Sequence, residues 1–483
     1  MEPNFQHVDS HSSNKYAINQ HHHHHQQSTE KISFIVIGAG LIGPRHAEHI
    51  VSHHHDCTLM AIVDHSAKGP SVASKFGVPL YSNLDEFFQN APKLPQAAII
   101  ATPNHTHLAI GMQLINRGIN ILIEKPLAST ATDCQTLIQF AKYKQVKMLV
   151  GHHRRFNPYI ITTKQNLAKI GKIVALQGCW TLCKPPSYFL EKPWRSLVEQ
   201  NGGTLLINLI HDLDLLQFLI GPIVKIYAEL LEKQRTDRWG FPGITQDEDL
   251  VDEGAVLTLK FANGCCGTFV CSDNVSSPFS FEHGTGENPT IPFMDDIQGT
   301  LRVFGSNGTI SVPDMKLYHQ GLTEPGTNSG EDQMRVDGSV GDGNSMNGNS
   351  EENRSWLKPI HCQQLTMNQK PPRHVHQSML LTPSSSPDFK HDSPIHYTHS
   401  AEVKHQDLHK IKPFDLQLEH FVNLLTNHET HVKCSGEDAL RALLCIEAVQ
   451  ESIRTGMPQY VQDLDSIDPD FNLLNEYLTQ ETI

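Results

Sequence analysis

The sequence predicts an α/β domain with a doubly wound parallel sheet, followed by an α+β domain with a large, mainly antiparallel, open-faced sheet and packing helices. Two observations support this. Between residues 31 and 150, short apolar strands alternate with helical patterns, which is typical of parallel sheets. After residue 151, strand-like segments follow one another closely, as in antiparallel sheets, and helical periodicity returns from residue 414.

The individual elements follow from these periodicities. In the first domain we predict strands at 32–37, 59–63, 97–101, 120–123 and 147–150, with helices at 45–51, 71–76, 107–117 and 131–143. In the second we predict helices at 158–168 and 204–219 and strands at 173–180, 224–229, 252–261, 265–272, 298–304 and 309–312. Amphipathic helices at 414–425 and 435–454 complete the pattern.

Composition sets the domain boundaries. Polar, His- and Gln-rich residues 1–30 and the unpatterned Gly-, Ser- and Asn-rich segment 321–408 contain too little apolar side chain to fold, so both are predicted to be disordered. Residues 31–150 then form the first domain and residues 151–320 a second domain for substrate binding and oligomerisation. Helices in 409–463 complete that second domain, and 464–483 is an acidic, partly ordered tail.

Charge and composition also exclude classes of function. The 483-residue chain has a formal net charge of −14 and no basic cluster, which argues against nucleic-acid binding. No apolar stretch approaches the ~20 residues of a membrane span, so we expect no membrane partner. The ten cysteines show no CxxC pair or metal-ligand spacing. We therefore predict a cytoplasmic protein with reduced thiols and no metal site.

A glycine-rich loop follows the first predicted strand. Gly38, Gly40 and Gly43 form a GxGxxG motif between a strand and a helix, and Asp64 ends the next strand. This is the full context of a dinucleotide-binding fingerprint. Amides at the helix N-terminus would bind the pyrophosphate, and Asp64 would accept hydrogen bonds from ribose hydroxyls and repel a 2′-phosphate. The cofactor predicted is NAD, with NADP disfavoured by Asp64, and the loop contacts are Gly38, Gly40, Leu41, Ile42 and Gly43.

Two further strands end in polar residues at the same edge of the sheet. Strand 97–101 leads into ATPNHTH, and strand 120–123 leads into EKP. Ligands of doubly wound sheets bind at the carboxyl ends of the strands. The expected cofactor contacts here are Thr102, Pro103, Asn104, His107, Glu124 and Lys125.

These motifs resemble the glucose–fructose oxidoreductase and inositol dehydrogenase (Gfo/Idh/MocA) family. The likeness covers nearly all the patterned sequence, including VIGAGLIG, EKPLA, GHHRRFNP, GGTLLINLIHDLDLL and VFGSNGTISVPD. The resemblance implies a Rossmann domain and an NAD(P)-dependent dehydrogenase or reductase that acts on a CH–OH group of a sugar, polyol or sugar-acid-like molecule. It also implies a homodimer or homotetramer and a cis peptide bond before Pro126.

By the same resemblance, Lys125 is the active-site lysine and His211 the histidine that exchanges a proton. An ammonium beside a substrate hydroxyl stabilises the alkoxide that develops as hydride leaves, and an imidazole suits proton exchange near neutral pH. Expected substrate contacts come from the GHHRRFNP segment, the WR pair and the helix that carries His211. They are His152, Arg154, Arg155, Trp194, Arg195, Asn208 and Asp212.

One position departs from the family pattern. Many sugar and inositol dehydrogenases of the family carry an aspartate four positions before the histidine, where this chain has Ile207. Asp214, three positions after His211, is close enough on a helix to replace it. The loss leaves open a different class of function, an NAD-binding sensor or transcriptional co-regulator without catalysis. A reductase of linear tetrapyrroles or diols shares the same fold and also stays open.

Overall fold

The structure is a computed structural model, and it describes five stretches of the chain: residues 31–198, 202–235, 251–320, 360–368 and 402–479. The N-terminal segment 1–30 and most of the 321–408 segment lie outside the described residues, so the disorder predicted there is not addressed.

The first domain contains a six-stranded parallel sheet. Its strands are β1 (Ile32–Ile37), β2 (Cys57–Val63), β3 (Leu80–Tyr81), β4 (Ala97–Ile100), β5 (Asn120–Ile123) and β6 (Met148–Val150). They lie in the order β3-β2-β1-β4-β5-β6, and all neighbours are parallel. The strand order reverses between β1 and β4, so the loops after these strands flank the crevice in which such sheets bind ligands.

Helices cover both faces of this sheet, because its strands are apolar on both sides. All six residues of β1 and all four of β4 are buried, as expected for a covered parallel sheet. The helices are α1 (Gly43–Ser52), α2 (Gly69–Phe76), α3 (Leu84–Asn90), α4 (His107–Asn116) and α5 (Ala131–Tyr143). The predicted α/β domain is confirmed.

A nine-stranded sheet forms the second domain. Its strands are β7 (Ile173–Thr181), β8 (Ile223–Leu230), β9 (Gly254–Phe261), β10 (Cys266–Ser272), β11 (Leu301–Gly305), β12 (Gly308–Val312), β13 (Lys316–His319), β14 (His361–Gln364) and β17 (Gln459–Tyr460). Their order is β14-β13-β12-β11-β7-β10-β9-β8-β17, and only the β7–β10 pair is parallel. The predicted mainly antiparallel sheet is confirmed.

One face of this sheet packs against helices, and the other carries exposed side chains. The helices described after the first domain are α6 (Pro158–Asn166), α7 (Pro186–Leu190), α8 (Ile210–Ile220), α9 (Phe281–Thr285), α10 (Pro413–Leu425), α11 (Gly436–Thr455) and α12 (Phe471–Thr479). A π-helical turn, Leu205–Leu209, leads directly into α8. Such turns are rare in proteins, and those that occur often lie at functional sites.

Helices of the segment 409–463 pack against the first domain as well as the second. Phe421 of α10 is buried in the first core and lies 6.1 Å, ring to ring, from Phe34 of β1. Helix α11 places Leu440 in the first core and Val449 in the second. Because α11 is apolar around most of its circumference, it packs against both domains and joins them.

Two short parts of the 321–408 segment are ordered, which differs from the prediction. Strand β14 extends the large sheet, and Met367–Asn368 pairs with Glu402–Val403 (β15 and β16). Leu365, Met367 and Leu408 are buried in the second core. These apolar residues attach the middle and the C-terminal end of the segment to the second core. Their spacing is too irregular to be recognised as a periodic pattern.

Within the described stretches, no helix is long and apolar enough to cross a membrane. The cytoplasmic location and the expected lack of nucleic-acid and membrane partners stay predictions.

Candidate active site

The glycine loop after β1 has the backbone geometry that the fingerprint requires. Gly38 has a φ of +103°, which favours glycine, and a Cβ there would lie 2.5 Å from the carbonyl oxygen of Ala101. A Cβ at Gly43 would lie 1.8 Å from the carbonyl oxygen of Gly38, so α1 packs directly on the loop. Gly40, in contrast, is exposed, and a Cβ there would meet nothing within 4 Å. The loop therefore leaves open space at the glycine expected to face the pyrophosphate.

Asp64 lies beside this loop, held by short hydrogen bonds. Its Oδ2 accepts from the amide of Ala39 at 2.6 Å, and its Oδ1 accepts from the amide of Ser66 at 2.7 Å and from the Ser66 hydroxyl. Burial opposes ionisation, but these hydrogen bonds lower the pKa of Asp64 below its usual value. The carboxylate is thus ionised and fixed next to the glycine loop. Of the other predicted loop contacts, Leu41 is exposed and Ile42 half-buried.

The loops after β4 and β5 meet through His107. Its Nδ1 lies 2.9 Å from the carbonyl oxygen of Pro126 and its Nε2 3.0 Å from that of Thr102. The ring is 1% exposed. His107 therefore links the two loops, and its cofactor contact stays a prediction. Pro103 is exposed, and Thr102 and Asn104 are half-buried at the end of β4.

Glu124 also holds neighbouring elements in place, and its cofactor contact stays a prediction. It is buried, and its Oε1 lies 2.8 Å from Nε2 of His46 on α1. Although burial disfavours the charged form, the His46 hydrogen bond lowers the pKa of Glu124. Glu124 thereby ties α1 to the loop that carries Lys125. The peptide bond between Lys125 and Pro126 is cis, as the resemblance implies.

Lys125 reaches across the interdomain cleft to the second domain. Its Nζ donates a 3.0 Å hydrogen bond to the carbonyl oxygen of Ile207 in the π-helical turn. Burial lowers the pKa of Lys125 to about 8, with the nearby Arg154 and Lys184 adding to this against the opposing charge of Glu124. The pKa of this amine therefore lies close to neutral pH, which is typical of functional lysines.

His211 lies one helical turn after Ile207. It is 8% exposed, and its Nδ1 has no hydrogen-bond partner among the described residues. Burial, together with the charges of Lys125 and Arg154, holds the pKa of His211 well below its ordinary value. The imidazole is therefore neutral at neutral pH. Lys125 contacts the turn that leads into α8, the helix that carries His211. Their joint catalytic role stays a prediction.

The two predicted arginine contacts are both engaged in buried ion pairs. Arg154 bonds to Asp212 at 2.8 Å, Glu282 at 2.6 Å and Glu287 at 2.9 Å. At 2% exposure it is closed off behind the cleft. Arg154 thus joins the segment after β6 to α8 and α9. Its predicted contact with substrate is not supported by these ion pairs and stays a prediction.

Arg155 is likewise structural. Its guanidinium donates to both oxygens of Asp214, to the carbonyl of Lys433 and to Asp438. Asp214 is fully buried in this pair, and its Oδ2 also lies 3.6 Å from Nδ1 of His152. Asp214 therefore does not replace the missing carboxylate beside His211, which corrects that expectation. His152 is 1% exposed, so the predicted substrate contact is buried next to His211.

Asp212 keeps one oxygen without a hydrogen-bond partner in the described part of the chain. Burial raises the pKa of Asp212 to about 7, despite its ion pair with Arg154. It lies on the sheet side of α8, next to Cys179 and Phe269 of the strands below. The structure thus places Asp212 under the helix and leaves its predicted contact with substrate unsupported.

Asn208 has a partner that sequence reasoning missed. Its Oδ1 accepts a 2.6 Å hydrogen bond from Nζ of Lys184, which follows β7. Lys184 is buried and lies 3.2 Å from an oxygen of Asp273. No sequence motif marks this lysine, and only the two prolines after it indicated a structured loop.

The predicted WR pair lies on the same loop. Arg195 is half-buried, and its guanidinium stacks 3.7 Å from the ring centroid of Tyr188 and donates to the carbonyl of that residue. Trp194 is 39% exposed and therefore accessible. The loop thus brings an arginine and an aromatic ring close to Lys184.

Comparison with known proteins identifies the family of both domains. A family model described as the GFO/IDH/MocA oxidoreductase family, NAD-binding Rossmann fold, matches residues 32–152, and the GFO/IDH/MocA C-terminal domain matches residues 165–311. The 2,7-anhydro-N-acetylneuraminate hydratase of Escherichia coli is 25% identical, over 57% of this chain and 71% of that protein. Inositol 2-dehydrogenase of Rhizobium meliloti is 27% identical, over 55% of this chain and 82% of that protein.

Solved structures share the fold. Myo-inositol 2-dehydrogenase from Lactobacillus plantarum superposes with a TM-score of 0.58 at 17% identity, covering 90% of this chain and all of that one. The WlbA dehydrogenase from Bordetella pertussis, solved with NADH and UDP-GlcNAcA, gives a TM-score of 0.56 at 15% identity, covering 90% of this chain and 99% of that one. With both of its domains matched, this chain belongs to the GFO/IDH/MocA family of NAD-binding oxidoreductases.

Proposed function

We propose that the protein catalyses NAD-dependent hydride transfer at a secondary alcohol or carbonyl of a sugar, polyol or sugar acid. The observation that carries this proposal is the placement of Lys125. Its ammonium crosses from the Rossmann domain to the turn that precedes His211, so one cation and one neutral imidazole meet at the cleft.

The residues around the glycine loop fit NAD. Gly40 leaves space for the pyrophosphate, the N-terminus of α1 presents amides, and Asp64 is ionised where an adenosine ribose would lie. When bound, the dinucleotide supplies a hydride acceptor or donor.

The chain's own residues then handle the hydroxyl group. Lys125 donates a hydrogen bond to the substrate oxygen and stabilises the negative charge that develops on it. His211 accepts the hydroxyl proton in the oxidation direction and returns it in reduction. Its neutral state suits the acceptor role, and its buried surroundings keep water from competing.

The test is NADH formation by the full chain with a panel that reflects its relatives: myo-inositol, scyllo-inositol, levoglucosan, 2,7-anhydro-N-acetylneuraminate and common sugars and sugar acids. We expect turnover with at least one compound, and loss of about 10² or more in kcat for Lys125→Ala with NAD affinity retained. Lys93, an exposed lysine in the loop before β4, provides the matched control as Lys93→Ala.

NAD binding without turnover of any compound would instead favour the non-catalytic sensor. The missing carboxylate at Ile207 is compatible with that function, whereas the intact Lys125–Ile207 contact supports the enzyme.

We also propose that the protein forms a homo-oligomer through the free face of the large sheet. Val256 of β9 is 41% exposed, and its register partner Val270 of β10 is half-buried on the same face, whereas the other face of both strands is buried. Apolar side chains on an uncovered sheet face are typical of an interface. Sedimentation equilibrium of the wild type and Val256→Glu tests this, with a dimer or tetramer expected for the former and a shift to smaller species for the latter.

A further inference from the structure

A second lysine contacts the same helical turn as Lys125 and has no part in the proposed hydride transfer. Nζ of Lys184 lies 2.6 Å from Oδ1 of Asn208, and Nζ of Lys125 lies 3.0 Å from the carbonyl oxygen of Ile207. The two ammonium groups therefore contact consecutive residues just before His211. The site holds one more cation than the chemistry at a hydroxyl group requires.

The charge of Lys184 is only partly balanced by protein. Asp273, its carboxylate partner at 3.2 Å, also pairs with the buried Arg235, so two cations share one carboxylate. A buried ammonium costs free energy unless its charge is compensated. Lys184 is 8% exposed, and it has one more N–H than the two oxygens it contacts within the described residues.

Two other acidic groups near Lys184 in the described part of the chain, Glu253 and Asp252, are occupied by different donors. Glu253 accepts from the amides of Gln234 and Arg235 and from the side chain of Asn274. Asp252 accepts from the amide of Leu205 and so caps the start of the π-helical turn. These contacts leave the ammonium of Lys184, and not a carboxylate, as the group able to take a new partner.

The walls around Lys184 fit a ring-shaped ligand. Its Nζ lies 4.6 Å from the ring centroid of Tyr188 and 5.5 Å from that of Trp180, and Arg195 stacks on the same Tyr188. Aromatic rings beside a cation form a surface that accepts both the apolar face and the anionic group of a small molecule.

We propose that the substrate is a sugar acid whose carboxylate binds Lys184 while Lys125 holds the reacting hydroxyl. This inference rests on the proposed function and narrows its substrate class. A carboxylate carries a single charge, which matches the one uncommitted N–H of Lys184; a phosphate monoester carries more charge than this position compensates.

The experiment compares sugar acids with neutral sugars or polyols of the same carbon skeleton. Binding is measured by calorimetric titration of the NADH-loaded protein, and turnover is measured with the same compounds. The pairs are D-glucuronate with D-glucose, D-galacturonate with D-galactose and D-gluconate with D-glucitol, and D-glucose 6-phosphate is the phosphate arm. We expect at least one acid to bind about 10- to 100-fold more tightly than its partner, the effect of one charge-assisted hydrogen bond. Lys184→Met should bring that ratio close to one, and Lys184→Arg should retain part of it.

Lys192→Met, on the same loop with an exposed side chain, is the matched control and should keep the wild-type ratio. If Lys184 only supports the fold, Lys184→Met will weaken acid and neutral ligands equally, and the proposal is wrong. It is also wrong if no acid binds better than its partner, or if the phosphate binds better than the acid. Absence of turnover with every compound would count against the proposed oxidoreductase function, while the titrations would still decide whether Lys184 binds a carboxylate.

Discussion

Nζ of Lys125 donates a 3.0 Å hydrogen bond to the backbone carbonyl of Ile207, at the position where many relatives carry an aspartate. The Ile207 side chain is apolar and cannot accept, and the backbone carbonyl of the π-helical turn takes the hydrogen bond. A main-chain carbonyl fixes the ammonium without adding a negative charge to the cleft. This explains how the lysine is oriented while the pKa of His211 stays low.

We predict that the pH dependence of oxidation has an alkaline limit near pH 8. Burial lowers the pKa of Lys125 to about 8, and the proposed mechanism needs the ammonium form. Activity should therefore be full below this pKa and fall as the pH rises through it, far below the ordinary lysine value near 10.4. The profile of kcat/KM against pH measures this.

The same profile should lack an acidic limb near 6.5, because the pKa of His211 lies well below that value and the ring stays neutral. Lys125→Arg, whose guanidinium keeps its charge, should remove the alkaline limit even where its rate is lower. If the alkaline limit persists in Lys125→Arg, it arises from a group other than Lys125.

The loops of the site were predictable from sequence because their chemistry is local. The glycines of 38–43 and Asp64 act through backbone geometry that a short motif specifies, and the strand–helix order places them at one edge of the sheet. Family resemblance added Lys125 and His211. The contact between Lys184 and Asn208 joins two loops without any motif, and it depends on how the second domain folds.

Arginine roles were the least predictable, because a charged residue near a cleft looks the same in sequence whether it binds ligand or holds the fold. The structure shows that Arg154 and Arg155 face inward to carboxylates on α8, α9 and α11. Their partners lie far away along the chain, so spacing alone does not reveal them.

Alanine substitutions in the glycine loop should separate folding from cofactor binding. At Gly43 a Cβ would lie 1.8 Å from a backbone oxygen that cannot move cheaply, so Gly43→Ala should lower the free energy of unfolding by about 3 kcal/mol or more. At Gly40 a Cβ meets nothing, so Gly40→Ala should unfold like the wild type but bind NAD more weakly. Urea unfolding and NADH fluorescence titration measure the two effects. Equal stability of both variants would contradict the assigned geometry.

Asp64 should control the choice between NAD and NADP. Removing its carboxylate in Asp64→Ala takes away a charged hydrogen-bond acceptor for the ribose, so Kd for NAD should rise about 10- to 100-fold. The preference over NADP should shrink, because the negative charge facing a 2′-phosphate is gone.

Ser66→Ala is the companion variant for this position. It removes the hydroxyl contact to Asp64 and keeps the amide contact and the carboxylate. Its effect on NAD affinity should be smaller and in the same direction. Unchanged cofactor selectivity in Asp64→Ala would show that the carboxylate has no role in recognition.

Arg155 should be essential for stability and not for substrate affinity. Arg155→Met leaves Asp214 buried without its guanidinium partner, so the free energy of unfolding should fall by about 3–5 kcal/mol. KM should stay within about twofold for the molecules that remain folded, because the Arg155 guanidinium is engaged by Asp214 and Asp438.

The double variant Arg155→Met with Asp214→Leu should recover much of the lost stability, since it removes both charges together. Arg454→Met, which breaks an exposed ion pair with Glu451, is the control and should leave unfolding unchanged. A large rise in KM for Arg155→Met without loss of stability would return this residue to the substrate site.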